Sequence, residues 1–490
     1  MLFNSIEFIV FFVIVCSSLV IFKFRQFPLI FLLFSGYFFF YFTSNYLIIL
    51  LLFTTVWNYY LAQIIWKTKD SVKKKYLLGL NLAGSLGVLG LFKYFDFGIE
   101  QLNNLALYFG ISEIPYLNLL LPIGISFYTF QALSYTIDIY RGKLTPSKSF
   151  IEFAFFVSFF PQLVAGPILR ASNFLPQLRE KMDIGISGIK LKQHLIHHAN
   201  LKIGITMMAF GFMKKMFFAD NIAPMVNEIF NFPIGYDSLV IITTTIAFGI
   251  QVYADFSGYS DIAIGAALIL GFKIPLNFNK PFFATSPADF WRRWHISLST
   301  WVRDYLFNEI IFRRLNSDLV YVFGLVVTFF LLGLWHGAGW NFIIFGLLHG
   351  TYVAFEFVIR RKIPFLANHK FFTTRAGTVF SILVTQYLVF LAFISFRITD
   401  LNHMFYVMEK YVILDFDMPE AIIFFSSHKL PLALMLIFMI LQFISYKKPN
   451  LLEKASKLSL KYWTVLLFTI VVSIVFFYSG TPADFIYFRF

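Results

Sequence analysis

A helix needs about 20 mainly apolar residues to cross the hydrocarbon core of a bilayer. This chain repeats that pattern along its length, at 5–22, 27–44, 46–66, 76–95, 117–138, 319–336, 341–359, 376–396, 425–445 and 462–479. Less clean stretches lie at 151–168, 203–219 and 238–270. Lipid offers no partner to a backbone N–H or C=O, so unbroken apolar runs of this length fold as helices. Composition agrees: the 490 residues are 59% hydrophobic and 21% aromatic, with 68 Phe, against roughly half apolar in soluble domains. The expectation is an all-α polytopic membrane protein of about 10–13 transmembrane or re-entrant helices. It would form a single membrane domain over 1–490, with a motif-bearing core at 160–345 and an aromatic tail at 484–490. The first run carries Glu7 in place of a basic leader and lacks a small-residue cleavage site, so it reads as retained and not as a signal peptide.

The formal net charge is +14, and the basic residues cluster in short connections, which tend to stay cytoplasmic. Lys23/Arg25, Lys67–Lys75, Arg141–Lys148, Arg313/Arg314, Arg360–Lys370 and Lys447–Lys461 are expected inside. The stretch holding Asp400, Glu409, Asp415, Asp417 and Glu420 is expected outside, with both termini facing outward. Orientation and attraction to anionic lipid account for these cations, and nothing points to nucleic acid. Cys16, the one cysteine, sits in the first run, which excludes an intramolecular disulfide and a thiolate metal cluster.

From about 160 to 310 the pattern changes. Pro161, Gly166, Pro167, Pro176, Pro224, Pro275, Pro281 and Pro287 interrupt it, and polar residues enter apolar runs. Irregular backbone at membrane depth persists only where protein or a water-filled cavity satisfies it, so this region should line the functional interior. The Gly84, Gly87, Gly90 spacing lies inside an apolar run with no strand before it and reads as close helix packing, and no Walker motif is present.

Several constellations could carry chemistry. In the first, Ser286 as N-cap, Pro287 at the first helical position and Asp289 at the third make a helix start. Projected as one helix, 286–306 places Trp291, Trp294, Leu298, Trp301, Val302, Tyr305 and Leu306 within an arc of about 160°. Arg292, Arg293, Ser299, Thr300, Arg303 and Asp304 take the other side, as on an interfacial amphipathic helix. His295 falls at the edge of the apolar face, where it could be a structural histidine or a functional one. The second is Leu334-Trp335-His336-Gly337-Ala338-Gly339-Trp340-Asn341-Phe342. Here a histidine ends a span before small residues that allow a tight reversal and close approach of a substrate. Ionisable groups beside spans are functional candidates, and histidine suits general-base work near neutral pH. His349, in the next span, reads as a packing partner. The third, from Gln251 to Asp261, sets Asp255 and Asp261 among hydroxyls in an apolar run. These carboxylates, with Tyr259, are expected to line a channel or to cap a helix broken near Gly258. His194, His197 and His198 lack a carboxylate or thiolate to complete a metal set, and no metal is expected. By composition the ending from Asp484 to Phe490 is an interface anchor.

Together these stretches resemble the membrane-bound O-acyltransferase (MBOAT) family, specifically its bacterial branch of alginate and peptidoglycan O-acetyltransferases. The matching segments are Phe218–Pro224, Tyr253–Gly265, Asn277–Pro281, Phe290–Trp301 and the surroundings of His336. The resemblance implies a ring of tilted helices around a thin centre, with His336 as catalytic histidine and His295 as the second signature histidine. It implies acetyl-CoA as donor substrate, with no permanently bound cofactor, and a cell-surface polysaccharide as the final acceptor. Trp335 and Asn341 become substrate-contact candidates. Arg292, Arg293 and Arg303 could bind coenzyme A phosphates or lipid headgroups. The ending Phe485-Ile-Tyr-Phe-Arg-Phe490 is similar to an aromatic tail of this branch, which makes Tyr487 a candidate acyl acceptor that would hand acetyl to an extracytoplasmic SGNH-type transferase. The implied location is the bacterial cytoplasmic membrane. D-alanyl transfer to teichoic acid and polysaccharide transport are the alternatives.

Overall fold

The computed structural model describes residues 1–21, 28–164, 166–185, 188–191, 196, 198–312, 317–367, 369–478, 485 and 486. Among them seven helices are long and apolar enough to cross a membrane: Pro28–Lys67, Ser71–Tyr108, Ser238–Ile269, Asp318–His336, Trp340–Lys362, Arg375–Arg397 and Lys429–Lys447. Ile6–Ile21 and Leu460–Phe476 are apolar but shorter. The chain is an all-α polytopic membrane protein, apart from a short antiparallel hairpin, Met182–Gly185 with Gly188–Leu191. It divides into two compact units.

The unit formed by Met1–Met208 and Ile262–Pro275 is locked by a polar contact set among three helices. Asn81 Nδ2 and Thr136 Oγ1 donate to Asn58 Oδ1 at 3.1 and 3.0 Å, while Asn58 Nδ2 donates to Ser85 Oγ at 3.2 Å. Buried amides are tolerated there because their partners are other buried polar groups. A second brace joins Arg179 to the buried Glu152 through two N–H donors, at 2.6 and 3.2 Å. The run expected to span 117–138 does not do so: helix begins only at Ile125, and 111–124 is irregular. Pro115 and Pro122 remove helix donors, and Asp96 draws the chain back by accepting from the N–H groups of Leu117 and Asn118 at 2.8 and 2.9 Å. Gly124 then turns left-handed with φ +77°, and a Cβ there would stand 2.1 Å from the Leu163 carbonyl oxygen.

The second unit holds Ala209–Asp261 and Leu276–Phe490. Its helices Asp318–His336 and Trp340–Lys362 run back alongside each other, with Gly333 and Gly346 at the contact. A Cβ on Gly333 would lie 2.3 Å from the Phe342 carbonyl oxygen, and one on Gly346 2.3 Å from that of Phe329. Small residues let membrane helices approach backbone to backbone. Ser238–Ile269 is continuous through Gly258, where a break was expected. The glycine there makes room for a neighbour, since its Cβ would meet the Gly211 oxygen at 2.8 Å. In the acidic stretch, Asp415 accepts from Ser238 Oγ at 2.6 Å and pairs with Lys410, which holds its carboxyl down at about 2.

Candidate functional site

Ser286, Pro287 and Asp289 start a helix as the pattern predicts, with the Asp289 N–H donating to Ser286 Oγ at 3.2 Å. The single helix expected over 286–306 does not continue. Pro287–Arg293 ends, Trp294 is extended, and His295 sits in the left-handed region at φ 43° and ψ 52°. Helix resumes at Ile296–Val302 and passes into a π-helical turn at Arg303–Phe307. A left-handed non-glycine residue costs about 1–2 kcal/mol, and a broken helix leaves backbone groups without partners. The loop at 277–279 meets both demands. The Asn279 N–H donates to the Arg293 carbonyl and the Ile296 N–H to the Asn277 carbonyl, each at 2.9 Å. The Asn277 side chain accepts from Ser297 Oγ at 2.6 Å and donates to Ser260 Oγ at 3.0 Å. His295 is thereby turned inward, fully buried, with the Phe256 ring at 4.7 Å.

Two contacts tie this segment to Trp340–Lys362. Glu356 Oε2 accepts from the Ala288 N–H at 2.8 Å, and Trp291 Nε1 donates to His349 Nδ1 at 3.3 Å. His349 is fully buried against Phe345 at 4.7 Å and Phe290 at 6.1 Å. The packing role read for it from sequence describes these contacts.

His336 is the last residue of Asp318–His336 and is buried among Trp335, Phe345 and Phe396, at ring separations of 4.8, 5.4 and 5.1 Å. The glycines after it are not left-handed. Gly337 and Gly339 are extended, at φ −167° and −172°, which any residue adopts. They are small for lack of space: Cβ atoms would fall 2.1 Å from the Phe342 ring and 2.5 Å from Asn341 Oδ1. Asn341 donates from Nδ2 to the Ser395 carbonyl at 3.0 Å. Trp335 lies between the two histidines, with its ring 5.9 Å from that of His295 and 4.8 Å from that of His336. Residues 41 positions apart in the chain thus share one indole.

Asp255 and Tyr259 are buried on the same helix as Phe256, and Asp261 pairs with Lys214 at 2.6 Å. Asp255 meets a lysine that sequence reading passed over: Lys215 Nζ lies 2.8 Å from Asp255 Oδ1 and 2.8 Å from Asp220 Oδ1. Both lysines sit in the π-helical turn Met213–Ala219. Two adjacent lysines inside an apolar run were the available signal, since buried charge needs a partner. Asn277 lies in the Asn277–Pro281 motif, and nothing local predicts its bridging role. The other oxygen of Asp255 accepts from the Ile486 N–H at 2.8 Å, and the Phe485 ring lies 4.2 Å from Tyr259 and 5.7 Å from Phe256.

Other expected site residues are not drawn in. Arg292 and Arg303 are exposed and pair with Asp289 and Asp304 at 3.4 and 2.7 Å, and Arg293 pairs with Asp289 at 2.9 Å. Tyr487 lies outside the described residues, as do His194, His197, Lys23, Arg25, Arg313 and Arg314.

Residues 125–399 match a family model described as the membrane-bound O-acyltransferase family. The chain is 40% identical over 313 residues to a "probable alginate O-acetylase" of Azotobacter vinelandii, covering 62% of this chain and 58% of that protein. It therefore spans less than two thirds of that relative's length. It is 34% identical over 381 residues to the peptidoglycan O-acetyltransferase of Helicobacter pylori, covering 73% and 68% of the two chains. Similarity to the teichoic acid D-alanyltransferase of Bacillus subtilis is 29% over 297 residues, covering 58% and 71%.

Proposed function

The chain belongs to the membrane-bound O-acyltransferase family, and from that premise we propose that it passes an acetyl group from cytoplasmic acetyl-CoA toward an extracytoplasmic polysaccharide such as alginate or peptidoglycan. The relatives named as acetylating those polymers support the acceptor class. The observation that carries the reading is the convergence of His336 and His295 on the ring of Trp335.

In the proposed step His336 takes the phenol proton of Tyr487 while the phenolate oxygen attacks the thioester carbonyl carbon. A phenol with an ordinary pKa near 10 needs such a base to react at useful rates near neutral pH. The tetrahedral intermediate collapses with cleavage of the C–S bond, the proton held by His336 goes to the leaving thiolate, and acetyl remains on the tyrosine oxygen. An SGNH-type partner at the outer face of the cytoplasmic membrane then moves it to a sugar hydroxyl. His295 positions the indole that both histidines share, Trp335 and Asn341 border the donor, and Asp255, Tyr259 and Asp261 border the path of the acceptor. Arg292, Arg293 and Arg303 hold coenzyme A phosphates or lipid headgroups. Both chain termini face outward.

The test is incubation of the membrane-embedded protein with radiolabelled acetyl-CoA, comparing the unaltered chain with His336→Ala and Tyr487→Phe. Label retained by the unaltered protein and absent from both variants is the expected result. No label with confirmed donor binding would sink the tyrosine step. No donor binding would leave D-alanyl transfer or transport as the reading to pursue.

A further inference from the structure

The proposed chemistry gives no task to Lys215 or Asp220 and only a bordering place to Asp255. One lysine faces two carboxylates, Asp220 and Asp255, each at 2.8 Å, so the three groups together carry a formal charge of −1. Charge held away from water needs further donors or it destabilises the fold. One donor comes from the far end of the chain, where the Ile486 N–H meets Asp255 Oδ2 at 2.8 Å, 231 residues away in sequence. The neighbouring side chain is engaged as closely: the Phe485 ring is 1% exposed and lies 4.2 Å from the Tyr259 ring.

A local contrast marks this contact. Leu460–Phe476, the last helix before this segment, buries only Ile470 and Ile474 among its residues, and its final residue, Phe476, is 80% exposed. Phe485 and Ile486 are nevertheless buried. A carboxylate that accepts a main-chain N–H is indifferent to the side chain it holds, while the aromatic slot beside it selects a ring. Together they form a receptor for an extended segment with an aromatic residue just before the bound amide. Ring contacts continue from Phe485 to Phe256 at 5.7 Å, to His295 at 4.7 Å, to Trp335 at 5.9 Å and to His336 at 4.8 Å.

We infer that the Lys215–Asp220–Asp255 cluster, with Tyr259 and Phe256, is a docking seat for the C-terminal segment, and that Asp255 is a positioning residue that clamps the main chain at Ile486. Lys215 holds the Asp255 carboxylate in place through its 2.8 Å contact, and Phe485 sets the register. Tyr487 is the next residue in the chain and would be delivered from a fixed point. That last consequence rests on the proposed role of Tyr487, whereas the seat stands without it. The seat itself lies within residues 125–399 that match the family model, and the segment it holds lies beyond them.

The experiment is carboxypeptidase trimming of the purified, membrane-embedded full chain without acetyl-CoA, followed by intact mass. In the unaltered protein trimming should stall before Phe485. In Asp255→Ala and in Phe485→Ala it should pass that point about tenfold or more faster, because removing a charge-assisted hydrogen bond or the buried ring raises the open population on which the protease acts. Thermal unfolding is measured on the same samples. If Asp255→Ala does not fold, Phe485→Ala decides, since it leaves the ion cluster intact. Equal trimming in the unaltered chain and a folded variant would overturn the seat. Acetyl labelling of Tyr487, read separately, distinguishes the two ideas: protection without label keeps the seat and defeats the acyl relay, and label without protection does the reverse.

Discussion

The two histidines that meet at Trp335 are held by opposite means. His295 sits at a break in a helix, and the backbone groups freed there are satisfied by a neighbouring loop: Asn277 and Asn279 supply an acceptor, a donor and a side-chain bridge. His336 sits at a helix end, where small residues make the room around it. Gly333, Gly337 and Gly346 remove the atoms that would push the Asp318–His336 and Trp340–Lys362 helices apart. A polar latch fixes the first and a close apolar fit the second. One shared indole therefore depends on two unrelated kinds of interaction, and the two can be attacked separately.

The strongest way to break the comparison is through space. Gly346→Leu would drive a side chain into the Phe329 carbonyl, whose oxygen is 2.3 Å from where even the Cβ must go. Overpacking of this kind costs about 1–3 kcal/mol or more, and with backbone as the obstacle the upper end is expected. Thermal unfolding in nanodiscs should drop sharply, and acetyl labelling should vanish with it. Unchanged stability would show that the hairpin is not closely packed.

The latch comes next. Asn277→Ala removes the partners of Ser297 and Ser260 and leaves buried hydroxyls to find others, an expected loss of about 1–3 kcal/mol. Activity should fall further than stability alone explains, because His295 would lose its imposed left-handed turn. His295→Asn sharpens this point: asparagine tolerates that conformation, so the fold should persist while labelling is lost. A variant that stays fully active would remove His295 from the site.

The smallest effect is expected at the joint between the two regions. Glu356→Gln keeps an oxygen to accept from the Ala288 N–H, 2.8 Å from the carboxylate in the unaltered chain, and gives up the charge assistance there and the exposed ion pair with Arg360 at 2.9 Å. A loss under about 1 kcal/mol is expected, visible as a modest fall in melting temperature with labelling nearly intact. A large loss would mean that the joint, and not the latch, holds the segment.

Much of this was legible in the residues. The helices Asp318–His336, Trp340–Lys362 and Arg375–Arg397 lie within a few residues of the apolar runs read as spans, because lipid forces unbroken apolar sequence into helix. The start at Ser286 was readable because a cap is a local device, complete within four residues. His336 stood out because an ionisable group at the end of a span is conspicuous. By contrast, 117–138 reads as one apolar run, yet its first part is drawn off the helix by Asp96, a residue of the preceding helix. The amphipathic face drawn through 286–306 was a sound local inference defeated at Trp294–His295, where the compensating bonds come from residues that periodicity does not count.

By itself, then, the sequence determined what depends on neighbours along the chain: which segments are helical, that they belong in a membrane, and where a helix is capped; it also marked His295 and His336 as candidates. Hydropathy and capping act over one to five turns, so a linear reading captures them. Only the tertiary structure decided that His295 is left-handed, that Trp335 is shared, that Lys215 answers Asp255 and Asp220, and that the main chain at Ile486 ends on the same carboxylate. Each of these places a buried polar group or ring against residues from a distant part of the chain. A buried group must have some partner, but nothing in its local sequence says which one.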